Sequence, residues 1–246
     1  MMRTFGLIGK KLGHSFSKQY FTEKFLQEHI SSCHYELFEI PNITDFPSLL
    51  AQHPTIRGLN VTIPYKLEVI PYLDGMNELA TKIGAVNVIK FLDNGKKIGY
   101  NSDCIGFSKS LSNFIGNATV SALILGTGGA SKAVTVALDQ LQIPYQFVSR
   151  KASAGILSYD TITPKHIEEH HLIINTTPLG TFPNEASLPA LPYEALNNSH
   201  YLYDLVYNPA TTAFMQKGLS VGAKAKNGLE MLQLQAEASW EIWNQD

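Results

Sequence analysis

The segment that most restricts the fold is the transition at residues 119–133. An apolar, β-rich run, Val120-Ser121-Ala122-Leu123-Ile124-Leu125, opens directly into Gly126-Thr127-Gly128-Gly129 and then into a helical pattern from Ala130. A strand that turns on clustered glycines into a helix is the opening of a βαβ crossover, since glycine permits the tight turn and a close backbone approach to a ligand. The downstream order keeps that rhythm. Strands are predicted at 120–125, 145–149, 172–175 and 201–206, with a weaker one at 221–224, and a helix at 130–141. Such alternation argues for a parallel, doubly wound sheet of Rossmann type.

The first hundred residues read differently. Strands are predicted at 5–8, 35–40, 57–63 and 86–92, and helices at 18–29, 44–52, 66–73 and 77–83. Asp93-Asn94-Gly95 supplies hairpin-turn chemistry, because asparagine and glycine tolerate positive φ, so this half carries at least one antiparallel pair in a mixed sheet. Leu229, Leu232, Ala236, Trp240 and Trp243 recur at helical spacing and predict a long terminal helix that packs back on the first half. Residues 151–163 read as a loop or a shortened element. With 246 residues, 44% of them hydrophobic, the chain can bury two modest cores. The expected organisation is α/β throughout: a domain at 1–103, a Rossmann-type domain at 104–227, and a returning helix at 228–246.

Charge and cysteine usage narrow the function. Nineteen basic residues against 21 acidic ones, with no basic block, do not make a nucleic-acid surface and favour a small-molecule substrate. Cys33 and Cys104 lack the spacing of a zinc site or a disulfide framework and read as free thiols of a reducing compartment. The eight histidines are scattered without metal-ligand spacing, so no metal is expected. No apolar run approaches the roughly 20 residues of a membrane helix, and the start of the sequence lacks a signal-peptide core. A soluble, cytoplasmic protein is expected.

Gly126, Thr127, Gly128, Gly129 and Ala130 form a candidate phosphate cradle, with free N–H groups and the positive helix end directed at a pyrophosphate. Where an NAD-binding chain commonly places an acid for the ribose, this one has Ser149-Arg150-Lys151. The guanidinium of Arg150 suits a 2′-phosphate and Lys151 adds attraction, which favours NADP(H). Lys66 and Asp103 then stand out as an acid–base pair: Lys66 at a predicted helix start, Asp103 just before a helix predicted from near Ile105. Reduction of a carbonyl needs a hydride at carbon and a proton donor within hydrogen-bond reach of oxygen.

A set of ordered motifs runs through the chain: Gly13-His14-Ser15-Phe16-Ser17, Asn60 to Lys66, Gly84-Ala85-Val86-Asn87, Gly99-Tyr100-Asn101-Ser102-Asp103, the glycine turn, Asn175-Thr176-Thr177-Pro178-Leu179-Gly180, Asp204-Leu205-Val206-Tyr207-Asn208-Pro209, and Gly228-Leu229-Glu230-Met231-Leu232 followed by Gln235-Ala236. Taken together, nearly full length, the chain resembles the shikimate dehydrogenase family. The resemblance implies an NADP-dependent oxidoreductase acting on a CH–OH group. Its reaction would be the reversible reduction of 3-dehydroshikimate to shikimate, on the route to chorismate and the aromatic amino acids, in a monomer or homodimer. It makes the first domain the substrate domain and the second the NADP-binding domain.

The resemblance also implies roles for residues. Ser15 and Ser17 would hold the substrate carboxylate with Tyr207 nearby, and Thr62, Asn87, Asn101 and Gln235 would bond the ring hydroxyls and carboxylate. Lys66 and Asp103 would be the catalytic pair, with Asp103 either the partner of the lysine or chiefly a substrate anchor. Gly126 to Ala130 would meet the pyrophosphate and Arg150 the 2′-phosphate, while Thr176, Leu205 and Gly228 would lie along the nicotinamide half. Ser149-Arg150-Lys151 departs from the family's common asparagine-arginine-threonine pattern, and Val88 stands where threonine is frequent. The rival readings are a quinate/shikimate dehydrogenase of relaxed choice, using NAD, and a non-catalytic NADP-binding sensor. Ser15 with Ser17 and the Arg150-Lys151 pair speak against the first, and retention of both Lys66 and Asp103 against the second.

Overall fold

The structure, a computed structural model, describes residues 2–13 and 15–245. His14, part of the first motif, lies outside the described residues. The chain divides into two compact units, Met1–Asp103 with Gln235–Asp246, and Cys104–Leu234. The divisions fall inside two helices rather than in linkers.

In the first unit the apolar runs become a six-stranded mixed sheet. In chain order its elements are β1 (Arg3–Gly9), α1 (Phe16–Gln27), β2 (Cys33–Glu39), α2 (Phe46–Gln52), β3 (Ile56–Val61), α3 (Tyr65–Glu68), β4 (Gly75–Met76), α4 (Glu78–Ile83), β5 (Val88–Phe91), β6 (Lys97–Tyr100) and the start of α5 (Ser102–Ile115). The strand order is β2-β1-β3-β5-β6-β4. Central β1 runs parallel to both β2 and β3, and its Phe5 and Ile8 are fully buried. β5 is antiparallel to β3 and to β6, and the β5–β6 link turns through Gly95 at φ +82°. The Asp93-Asn94-Gly95 hairpin is therefore present. The predicted helix at 66–73 is instead a single turn, α3, followed by a 3-10 turn at Ile70–Tyr72, because Pro71 lacks the N–H that a continuing α-helix needs.

One boundary shift matters for the site. α5 begins at Ser102, not near Ile105, so Asp103 lies in its first turn rather than ahead of it. Asn87 Oδ1 accepts the Ser102 N–H at 2.7 Å, supplying from another segment the cap that local sequence did not advertise. A carboxylate in a first helical turn also gains from the helix dipole.

The second unit holds β7 (Ala122–Leu125), α6 (Gly129–Gln140), β8 (Tyr145–Ser149), β9 (Ile156–Ser158), α7 (Pro164–Glu169), β10 (Leu172–Asn175), β11 (Tyr201–Asp204), α8 (Ala213–Leu219), β12 (Lys224–Lys226) and the start of α9 (Leu229–Asn244). All its strand pairings are parallel, in the order β12-β11-β10-β7-β8-β9. This is the doubly wound arrangement with its switch point between β7 and β10. β7 is buried along its whole length, as expected of a strand covered on both faces. The segment predicted as a loop or shortened element carries β9, joined to β8 by a non-helical connection at 150–155. The last strand lies at 224–226 rather than 221–224.

The C-terminal end of α9 is built into the core of the first unit. Trp243 stacks on Phe5 with ring centroids 4.8 Å apart, and its Nε1 donates to Ile89 O at 3.1 Å. A Cβ on Gly58 would come within 2.4 Å of the Trp243 ring, so glycine is required where the strand passes the indole.

Candidate active site

In the first unit the end of β3 leads through Thr62 into α3, and the turn of α3 presents Lys66. Val86 N donates to Lys66 O at 2.8 Å, tying that turn to the segment that carries Asn87. Lys66 Nζ reaches Asp103 Oδ2 at 2.7 Å, with side-chain exposures of 31% and 14%, so the pair is shielded yet open to a ligand. Asp103 Oδ1 accepts from Asn87 Nδ2 at 2.8 Å. Both carboxylate oxygens are thus held by donors, one charged and one neutral, which fixes the acceptor beside the ammonium.

The other predicted substrate residues divide by environment. Ser15 caps α1, accepting from Lys18 N at 3.4 Å, and Ser17 lies in the first turn of that helix. Thr62 bonds through its backbone to Ile8 O, at 3.0 Å, beside the end of β1. Asn101 is buried, with Nδ2 donating to Ala85 O at 3.0 Å. Gln235, in α9, holds a buried Oε1 that no hydrogen bond satisfies. Tyr207 follows β11 in the second unit and is partly exposed.

The second unit gathers the predicted cofactor residues at the carboxyl ends of its parallel strands. Gly126 has φ +102°, a conformation reserved for glycine, and a Cβ there would press on Thr177 and on Thr176 Oγ1 at 2.9 and 3.0 Å. Thr176 Oγ1 donates to Leu125 O at 2.7 Å, bringing the ends of β7 and β10 together at the switch point. Added Cβ atoms on Gly128 and Gly129 would meet nothing within 4 Å, so open space borders the turn. α6 begins there on Gly128 with no side-chain cap. Its first amides are therefore available to an anion. A Cβ on Gly228 would come within 2.2 Å of Leu205 O, which makes these two predicted residues direct neighbours. Arg150 and Lys151 are exposed after β8, on a turn in which Ser149 Oγ accepts from Lys151 N at 3.3 Å.

Asp204 ends β11 fully buried, and burial pushes its carboxyl up to about 6. Bonds from Thr212 Oγ1 (2.6 Å), Val206 N (3.0 Å) and Asn175 Nδ2 (2.9 Å) pull the other way. Asn175 in turn accepts from Thr177 N at 3.0 Å, so one buried carboxylate ties together the loops after β10 and β11.

Sequence reading assigned nothing to Tyr35 or Ser239, both buried beside the acid–base pair's supports. Ser239 does leave a trace: it falls on the apolar stripe of α9 between Ala236 and Trp240, a polar residue where packing wants an apolar one. Tyr35 leaves none, since tyrosine is an ordinary strand residue. Among the described residues no cluster of three or more His, Cys, Asp or Glu could hold a metal ion, and no helix is long and apolar enough to cross a membrane.

Residues 7–89 match the family profile described as the shikimate dehydrogenase substrate binding domain. The shikimate dehydrogenase (NADP(+)) of Clostridium beijerinckii is 39% identical over 260 residues, covering 99% of this chain and 93% of the relative. The Thermus thermophilus shikimate 5-dehydrogenase, solved with NADP(H) and shikimate, superposes with a TM-score of 0.87 at 27% identity, covering 99% of this chain and 94% of that one. The quinate dehydrogenase of Corynebacterium glutamicum, solved with NAD, gives 0.89 at 25% identity and the same two coverages.

Proposed function

The chain belongs to the shikimate dehydrogenase family, and we propose that it catalyses the reversible NADPH-dependent reduction of 3-dehydroshikimate to shikimate. The observation that carries this reading is the Lys66–Asp103 pair at 2.7 Å, partly open and backed by Asn87. In the reducing direction Lys66 gives a proton to the ketone oxygen as the alcohol forms; in the oxidising direction it takes the proton back. Asp103 holds the ammonium in place and accepts a hydrogen bond from a substrate hydroxyl. Ser15, Ser17, Thr62, Asn87 and Asn101 bind the carboxylate and ring hydroxyls. Gln235 adds a buried oxygen that lacks a donor, a vacancy that a substrate hydroxyl would satisfy.

NADP(H) fits the second unit on its own chemistry: the glycine turn bordered by open space, the uncapped start of α6 and the exposed cations after β8. Gly126, Thr127, Gly128, Gly129 and Ala130 hold the pyrophosphate by backbone N–H groups. Arg150 takes the 2′-phosphate with Lys151 beside it, and Thr176, Leu205 and Gly228 line the nicotinamide half. When bound, NADPH supplies the hydride. The domain roles follow: Met1–Asp103 with the end of α9 is the substrate unit and the Rossmann-type unit is the NADP unit. The enzyme works in the cytoplasm as a monomer or homodimer.

The quinate dehydrogenase neighbour supports one second reading, a relaxed enzyme using NAD. Steady-state rates with shikimate or quinate, each with NADP+ or NAD+, separate the two. The highest kcat/KM is expected for shikimate with NADP+; a preference for quinate with NAD+ would replace the reading, and absence of turnover with every pair would end it.

A further inference from the structure

Four polar side chains of the first unit, Tyr35, Asn60, Ser239 and Ser102, form a hydrogen-bonded chain that ends on Asn87, the residue facing Asp103. We infer that Tyr35 and Ser239 are positioning residues for the reaction, holding Asn60 and Ser102 and through them the Asn87 amide. The inference rests on the function proposed above.

Backbone groups set the direction of each link. Asn87 O accepts from Asn60 Nδ2 at 3.3 Å, so Asn60 turns its Oδ1 toward Tyr35, whose hydroxyl donates to it at 2.8 Å. Gln235 O accepts the Ser239 hydroxyl at 2.8 Å, leaving the Ser239 oxygen to accept from Asn60 Nδ2 at 3.0 Å and from Ser102 Oγ at 3.1 Å. The Ser102 N–H fixes Asn87 Oδ1 at 2.7 Å, and so Asn87 Nδ2 is the end that meets Ser102 Oγ at 3.0 Å and Asp103 Oδ1 at 2.8 Å. A reversed Asn87 amide would set oxygen against carboxylate. Ser102, Ser239 and Tyr35 are almost completely buried, where a polar group that loses its partner finds no water to replace it. Burial also raises the Tyr35 hydroxyl above its ordinary range, so it stays protonated as the donor that Asn60 needs.

The two arms meet at Asn60, which spends its oxygen on Tyr35 and its amide hydrogens on Asn87 O and Ser239. Removal of either partner frees the same amide to turn. Tyr35→Phe deletes one atom and keeps the ring stacked on Phe21 at 4.6 Å, so the fold tolerates the test. Ser239→Ala deletes the oxygen that receives both Asn60 and Ser102.

The full chain carrying Tyr35→Phe, Ser239→Ala or both should be assayed with shikimate and NADP+, alongside melting curves. Each single variant is expected to lower kcat about five- to tenfold, the scale of one lost buried hydrogen bond, with KM for NADP+ within about twofold. The double variant should fall by less than the product of the two single losses, because both changes act on Asn60 while Ser239→Ala alone also takes the acceptor from Ser102. Singles that keep kcat within about twofold while melting earlier, or losses that multiply in the double variant, would overturn the inference. A parent chain inactive on shikimate would overturn the proposed function and this inference with it; an active parent with unaltered variants would overturn the inference alone.

Discussion

At the residue scale the proposed reaction depends on one ammonium. Lys66 is held at its backbone by Val86 and at its Nζ by Asp103, so the proposed reaction would draw its proton from a fixed place rather than from a swinging side chain. General acid–base catalysis of this kind contributes on the order of 10²–10⁴-fold. Lys66→Ala is therefore expected to lower kcat at least about a hundredfold while KM for shikimate changes only a few-fold, because Asn87, Asn101 and the serines remain. Steady-state rates in the oxidising direction give both values, and a near-normal kcat would remove the lysine from its role. Lys66 and Asp103 were legible because each ends a motif, and the motifs recur in a fixed order. The supports behind them were not: that Asn60 and Ser102 face Ser239, 179 and 137 positions away, is a fact of packing that no local pattern carries.

At the element scale α9 does more than close the chain. Its apolar stripe was readable from Leu232, Ala236, Trp240 and Trp243, yet the same helix carries Gln235 and Ser239 to the first unit. Trp243 anchors it, ringed by Phe5, Phe21 and Tyr35 and bonded to Ile89 O. Trp243→Ala is expected to cost about 3–5 kcal/mol, the usual loss for a buried aromatic, and to lower kcat as α9 loosens. Thermal or denaturant unfolding measures the first, and a melting temperature equal to the parent's would contradict the anchoring. Elements that the sequence did not reveal are the short ones. α7 and α8 have six and seven residues, and β9 has three. The fully buried β7 was legible because burial on both faces leaves an unbroken apolar run, and the turn after it because its glycines cluster.

At the scale of the whole molecule, a buried carboxylate in the second unit links stability to pH. Desolvation raises Asp204 from 3.8 to about 6, so the folded protein holds this proton more tightly than the unfolded chain does. The contribution is then fully present below about pH 4 and is lost as pH rises through about 6. Ionised Asp204 thus costs up to about 3 kcal/mol at neutral pH relative to its protonated form. Asparagine cannot ionise, so the stability of the parent relative to Asp204→Asn should fall by up to that amount between about pH 4 and 7. Paired unfolding curves across that range test it, and a pH-independent difference would contradict the burial argument.

The glycine cradle, the Lys66–Asp103 pair and the family's ordered motifs converge on one reaction. Its most direct test is NADPH consumption by the purified chain on addition of 3-dehydroshikimate, with the product identified. NADPH loss matched one for one by shikimate is the expected result. NADPH left unconsumed, or consumed without shikimate appearing, would contradict it.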